Sequence, residues 1–348
     1  MIVNEYYSEK NHGPHHTFEL GNFQLEMGET LKNAKLLYKT HGKLNENKDN
    51  AILFPHMWSG TSSSMEIFVG KGRPLDPDKY FIILPGMLGN GLSSSPSNTP
   101  TPHDRGAFPQ VTIGDDVLAQ HRLVTEYFGI TQLQLVLGWS MGAQQTYEWA
   151  VRFPDMVKRA APFAGTAKVT PHNALWVASH EDALKSDPNF NNGFYNDSRE
   201  CHVGLRRHSR LWGVMGLCPE FYLQETWRNL GFTSMEGFQT GFWDDYFLPM
   251  DANNLICMGW KWRHGDVSHH ANGSLKEALG KIKAKTYVIS FANDMFFPPE
   301  HSKLEQMMIP NSEFHIVNTL WAHFGMFCCS NEKEQIDKLL HKLLKELN

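Results

Sequence analysis

Residues 134–147, QLVLGWSMGAQQTY, constrain what this chain can fold into more than any other stretch. An apolar run, Leu135-Val136-Leu137, stops at Gly138; Ser140 stands between Gly138 and Gly142; a helix-compatible segment follows. Strand, tight turn and helix, in that order, are the setting in which a G-x-S-x-G serine becomes a nucleophile. The turn strains the serine backbone and draws neighbouring segments so close that side chains at the flanking positions would obstruct it, hence glycine on both sides. Such an elbow exposes the Ser140 hydroxyl above the sheet and aims the N-terminus of the next helix at the same point. Five-residue patterns also arise by chance, so the reading depends on partners elsewhere in the chain.

Patterning on both sides of the elbow repeats the alternation of strand and helix. Residues 18–25 alternate apolar and polar side chains, residues 36–38 open a second strand closed near Gly42, and 51–55 and 80–84 are short buried runs. Thr112 with Asp115 forms something close to a capping box, and Gly129 supplies that helix's stop. Pro154 ends the elbow helix at Phe153. Further strands are expected over 158–165, 286–291 and 314–317, and Pro298-Pro299 suits a helix start. Ser330 is placed to cap a last helix whose Ile336, Leu339, Leu340, Leu343 and Leu347 form one stripe. Between 168 and 276 the character changes to helical patterns rich in Trp, His, Met and Arg. The pattern predicts a core from 1–167 and 277–348 with a helical cap inserted at 168–276. Alternating elements imply a mostly parallel sheet covered on both faces, with catalytic groups at the carboxyl ends of its strands.

Composition narrows the function. A formal net charge of -5 argues against a general nucleic-acid or anionic-membrane surface. No window reaches the apolar length of a membrane span, and the start, MIVNEYYSEKNHGPHH, does not read as a secretory signal. Five cysteines in 348 residues make no disulfide framework, and Cys328-Cys329 has no zinc-site spacing, so a reduced, cytoplasmic protein is expected. Ten Trp and 22 Phe are a heavy aromatic load, for core packing or for the wall of a substrate channel.

A serine hydroxyl needs a base to remove its proton, and the base needs an acid to orient it. In a strand–elbow–helix sheet the order is Ser, then Asp or Glu, then His. Asp294, just past the predicted strand 286–291, and His323, after the last strand, stand in that order behind Ser140. Taken alone, Asp294 reads equally as a helix cap and His323 as a loop histidine; the three together point to a triad. Two N–H groups must hold the oxyanion. One is expected from Met141; for the other Trp58 is preferred and Met57 is the alternative. His264 and Asp266 in RHGDVSHH imitate metal ligands without a regular ligand spacing, and no metal site is expected.

These residues resemble the homoserine O-acetyltransferases of the α/β-hydrolase fold. The likeness runs through YKTHG at 38–42, HMWSG at 56–60, LDPDKYFIILPGMLGNGLSSS, FPQVTIGDD and LGWSMGAQQTYEWAVRFPD, and ends at Asp294, FPPE and His323. It also includes His172-Asn173, SDPN at 186–189, Asp251-Ala252-Asn253 and Asp266-Val267-Ser268 in the cap. The resemblance implies an α/β-hydrolase fold with a mostly parallel eight-stranded sheet, helices on both faces and an inserted helical cap. It implies ping-pong acyl transfer through Ser140, a tunnel under the cap, a homodimer built through the cap helices, and no metal or bound prosthetic group.

Departures from that family concern the substrate. The family usually carries Asp directly after the catalytic His, for the homoserine amino group; this chain has Phe324. The family's cap arginine, for the homoserine carboxylate, aligns best with Arg210, with Arg206 and Arg207 close in register. Trp139 and Ala143 replace a smaller residue and a glycine around the elbow. The leading expectation is therefore an esterase or acyltransferase acting on a less polar, small-molecule ester, with Arg210, Phe324 and Trp139 against the substrate. The alternatives are a homoserine O-acetyltransferase using acetyl-CoA as donor, and a non-catalytic relative that binds a small ligand.

Overall fold

A computed structural model describes residues 2–327 and 330–346. Cys328-Cys329, Leu347 and capping by the Ser330 side chain lie outside the described residues. Eight strands form one sheet: β1 (His16–Gln24), β2 (Thr30–His41), β3 (Ala51–Leu53), β4 (Phe81–Pro85), β5 (Leu135–Trp139), β6 (Arg159–Phe163), β7 (Lys285–Phe291) and β8 (Ser312–Val317). Their spatial order is β1-β2-β4-β3-β5-β6-β7-β8. The β1–β2 and β2–β4 pairs are antiparallel, and every later pair is parallel.

That order carries the functional consequence. The chain runs from β3 outward to β4 and then returns across the sheet to β5, on the other side of β3. The connections leaving β3 and β5 therefore diverge, and a crevice opens at their carboxyl ends, where ligands bind in open α/β sheets. The loop after β3 holds residues 56–60, and the turn after β5 holds Ser140.

Central strands are apolar throughout because helices bury both faces. Val136 packs into one layer with Val117, Leu123 and Val288, while Leu135 and Leu137 pack into the other with Phe163, Ile289 and Leu340. Adjacent residues part to opposite faces, as the two-residue period requires. The longer helices outside residues 171–271 are α1 (Ile113–Arg122) and α2 (Met141–Arg152) before them, with α6 (Pro299–Gln306) and α7 (Ser330–Lys345) after them. Thr112 and Asp115 do form a reciprocal capping box at the start of α1. The expected 36–38 strand is the inner end of a longer β2; upstream, Lys32 and Asn33 are exposed and Asn33 is left-handed, which hides the alternation.

From residue 171 to 271 the regular elements are helical, the longest being α3 (Pro171–Lys185), α4 (His202–Met215) and α5 (Ala252–Arg263). Much of the aromatic load is their core: Trp176, Trp212, Trp243 and Trp262 cluster with Trp58 of the β3 loop. A buried ion pair, Lys261 to Asp116 at 2.6 Å, ties α5 to α1. Among the described residues no helix is long and apolar enough to cross a membrane.

Candidate active site

Ser140 occupies the sharp turn between β5 and α2 with φ 58° and ψ -118°, a conformation a non-glycine residue holds only when its surroundings enforce it. Its N–H donates to the Phe163 carbonyl at 2.9 Å, anchoring the turn to β6. A Cβ on Gly138 would strike the Gly142 carbonyl, and one on Gly142 would lie 2.6 Å from the Pro55 carbonyl. Both glycines are thus required by close backbone approach, the second one by the approach of the β3 loop itself.

His323 lies in a turn after β8, and its Nε2 is 3.0 Å from Ser140 Oγ. Its Nδ1 is 2.8 Å from Asp294 Oδ2. Asp294 follows β7, and its other oxygen accepts the N–H groups of Phe296 at 2.8 Å and Phe297 at 3.1 Å. Those donors replace the water that this carboxylate loses, since it is only 3% exposed. An acceptor facing Nδ1 assigns the proton to that nitrogen and leaves the Nε2 lone pair on the serine hydroxyl. The three residues singled out in the sequence come together in hydrogen-bonding order, from three separate elements.

The N–H of Met141 opens α2 and has no carbonyl one turn behind it within the helix. Across the crevice, the Met57 carbonyl accepts from His56 Nδ1 at 2.7 Å and from the Gly60 N–H at 3.1 Å. Among the described residues neither the Met57 nor the Trp58 N–H finds an acceptor. Asn90 Nδ2 lies 3.1 Å from His56 Nε2, and its Oδ1 already accepts from Leu92 N–H. That leaves Asn90 as the donor, so His56 Nδ1 carries the ring proton and gives it to Met57. Burial pushes His56 down to about 3, which keeps it neutral. The roles of His56 and Asn90 were missed in the sequence; the one signal was a histidine directly before the oxyanion loop.

Above Ser140 lies a cavity of about 530 Å³. Trp58, Trp139, Trp212, Trp243, Phe324 and Phe327 are among its walls, with Ser59, Ser64 and Tyr246 as polar groups besides Ser140 and His323. None of its lining residues is charged among the described residues. Phe324 and Trp139 line the cavity, and Phe324 packs edge-on to Trp243 with centroids 5.0 Å apart.

Arg210 does not reach this cavity. On α4, His208 and Trp212 face inward, and a residue two positions from each falls on the opposite side of the helix. Arg210 is exposed, as are Arg206, near Asp244 at 3.8 Å, and Arg207, bonded to the Ser186 carbonyl at 2.8 Å. In RHGDVSHH, Asp266 pairs with Lys168 at 2.8 Å and His264 stacks on Trp260. It is His270 and His269 that approach a carboxylate, Glu148, with His270 Nε2 at 2.7 Å. Arg152 already pairs with that carboxylate at 3.3 Å.

Residues 50–327 match the family described as alpha/beta hydrolase fold. The ethyl acetate hydrolase of Pseudomonas veronii is 50% identical over 344 residues, 98% of this chain and 99% of that protein. The solved structure of the acetyl esterase MekB superposes with a TM-score of 0.97 at 50% identity, covering 99% of this chain and 100% of that one. The homoserine O-acetyltransferase of Methanococcoides burtonii is 32% identical over 362 residues, 95% of this chain and 73% of that protein. The resemblance to the transferases read from the motifs is present at 32% identity, and the likeness to these esterases is greater. With an elbow serine, an ordered Asp and His behind it and a switch-point crevice, the chain belongs to the α/β-hydrolase fold family.

Proposed function

We propose that this protein is a serine esterase that cleaves small, uncharged acetate esters through an acyl-Ser140 intermediate. The observation that carries the substrate class is the cavity wall, aromatic and without a charged side chain among the described residues. The names of the relatives, an ethyl acetate hydrolase and an acetyl esterase, support the same class. His323 Nε2 takes the proton of Ser140 Oγ as the oxygen attacks the acyl carbon. The N–H groups of Met141 and Trp58 hold the oxyanion. The protonated His323 then gives its proton to the departing alcohol. Water, deprotonated by the same imidazole, releases acetate and restores the serine. Asp294 keeps the imidazole oriented throughout. Trp139 and Phe324 contact the ester, and the chemistry asks for no metal or prosthetic group.

Residues 168–276 act as the cap that roofs the cavity and limits it to small esters and the attacking water. Val214, Leu223, Leu230 and Met235, all exposed on it, support a homodimer formed through this region. Homoserine acetylation from acetyl-CoA is the second reading, favoured by the likeness to the transferase. Burying an ammonium and a carboxylate in this cavity without partners would be costly.

Ser140→Ala is expected to abolish hydrolysis of ethyl acetate and p-nitrophenyl acetate while the thermal midpoint stays near that of the parent. Retained turnover would sink the assignment. Release of CoA thiol that depends on added L-homoserine would favour the transferase instead.

A further inference from the structure

Trp139 is the last residue of β5, the direct neighbour of Ser140, and it touches His323 in two ways. Its indole Nε1–H donates to the His323 carbonyl at 3.0 Å. Its ring lies over the imidazole, with centroids 5.1 Å apart and planes tilted by 31°. Phe297 packs on the same imidazole at 5.5 Å and 38°, and Phe296 meets it edge-on at 4.9 Å. The base is thus held in an aromatic setting, one wall of which is covalently joined to the nucleophile.

The backbone at this point needs holding. Ala322, immediately before His323, has φ 46°, a left-handed conformation that persists in a non-glycine residue only when its surroundings over-determine it. The nearby turn bonds, Phe324 N–H to Trp321 O and Trp321 N–H to Thr319 Oγ1, stay within the loop. The indole bond instead reaches the strand that carries Ser140. Both the backbone of the base and the plane of its ring are therefore referenced to the residue beside the nucleophile. When His323 takes the serine proton, the indole face is also within reach of the new positive charge, an attraction strongest for Trp among the aromatic side chains.

We infer that Trp139 is a positioning residue for His323, beyond its place in the cavity wall. Its N–H clamps the loop that presents the base, and its ring face orients the imidazole. The inference rests on the esterase reading of Ser140, His323 and Asp294 given above.

Two variants separate clamp from wall. Trp139→Phe keeps an aromatic face and loses the N–H; Trp139→Leu loses both. For Trp139→Phe, kcat is expected to fall roughly tenfold, the worth of one buried hydrogen bond, with KM within about twofold. The fall should be equal for acetate esters of small and large alcohols. Trp139→Leu is expected to lose more kcat, because both the N–H and the ring face are gone. Should Trp139→Leu fail to fold, Trp139→Phe decides alone. Parental kcat in Trp139→Phe, or a change confined to KM that scales with alcohol size, would overturn the inference and leave only a wall. Either result with Ser140→Ala inactive leaves the esterase reading standing; an active Ser140→Ala removes that reading instead.

Discussion

His56 shows how much one buried side chain can decide. It is fully buried, its Nε2 is taken by Asn90, and its Nδ1–H goes to the Met57 carbonyl. Carbonyl and N–H of one peptide point in opposite directions across its plane, so holding the Met57 oxygen fixes the direction of the Trp58 N–H. This favours Trp58 over Met57 as the second oxyanion donor. His56→Leu is expected to lower kcat by about ten- to a hundredfold, toward the loss of an oxyanion donor, with KM little changed. His56→Asn retains an N–H near the Nδ1 position and should recover part of that loss. Equal rates for the two variants in steady-state assays would refute this account of His56.

Elements meet at a second buried acid, where the chain leaves β6 for the helical region. Glu305 on α6 accepts the Ala167 N–H at 3.0 Å and also bonds Thr166 and Lys168. Burial pushes its carboxyl up to about 7 from an ordinary 4.5. The folded protein therefore holds a proton that the unfolded chain has released between those values. Stability from this group is full below pH about 4.5 and is lost as pH rises through about 7, on the order of 3 kcal/mol in all. Glu305→Gln stays neutral throughout. Its thermal midpoint relative to the parent is expected to improve steadily from pH 5 to pH 8, and a difference independent of pH would exclude the assignment. Neighbouring elements differed in how openly they could be read. The elbow, the α1 capping box and the buried runs of β3, β4 and β7 follow from local pattern. The first half of β2 did not, because an exposed left-handed Asn33 breaks its period.

At the scale of the whole molecule, the sheet and the helices between 171 and 271 meet around the cavity above Ser140, and that helical stretch carries several exposed apolar side chains. Leu223 is 84% exposed and Val214 68%, within the same stretch of helices as Leu230 and Met235. Isolated exposed leucines are ordinary, and these four are the residues on which the proposed homodimer rests. If the proposed homodimer forms through this stretch, the parent runs as a dimer in light scattering at micromolar concentration and Leu223→Asp as a monomer with a lowered thermal midpoint. A parent protein that is already monomeric there would rule out the dimer.

What the amino-acid order determined by itself was the chemistry and the frame that presents it. Ser140 between two glycines, Asp294 after a strand and His323 after the next are local features, and each announces itself through backbone strain, strand ends and chain order. The company those residues keep came from folding alone. Trp139 on His323, His56 on the Met57 carbonyl, and the outward turn of Arg210 depend on contacts between segments far apart in the chain. Local periodicity carries no information about such contacts. A nucleophile's turn is written in five residues, but the walls that select its ester come from the β3 loop, the elbow, the helices between 171 and 271, and the turn after β8.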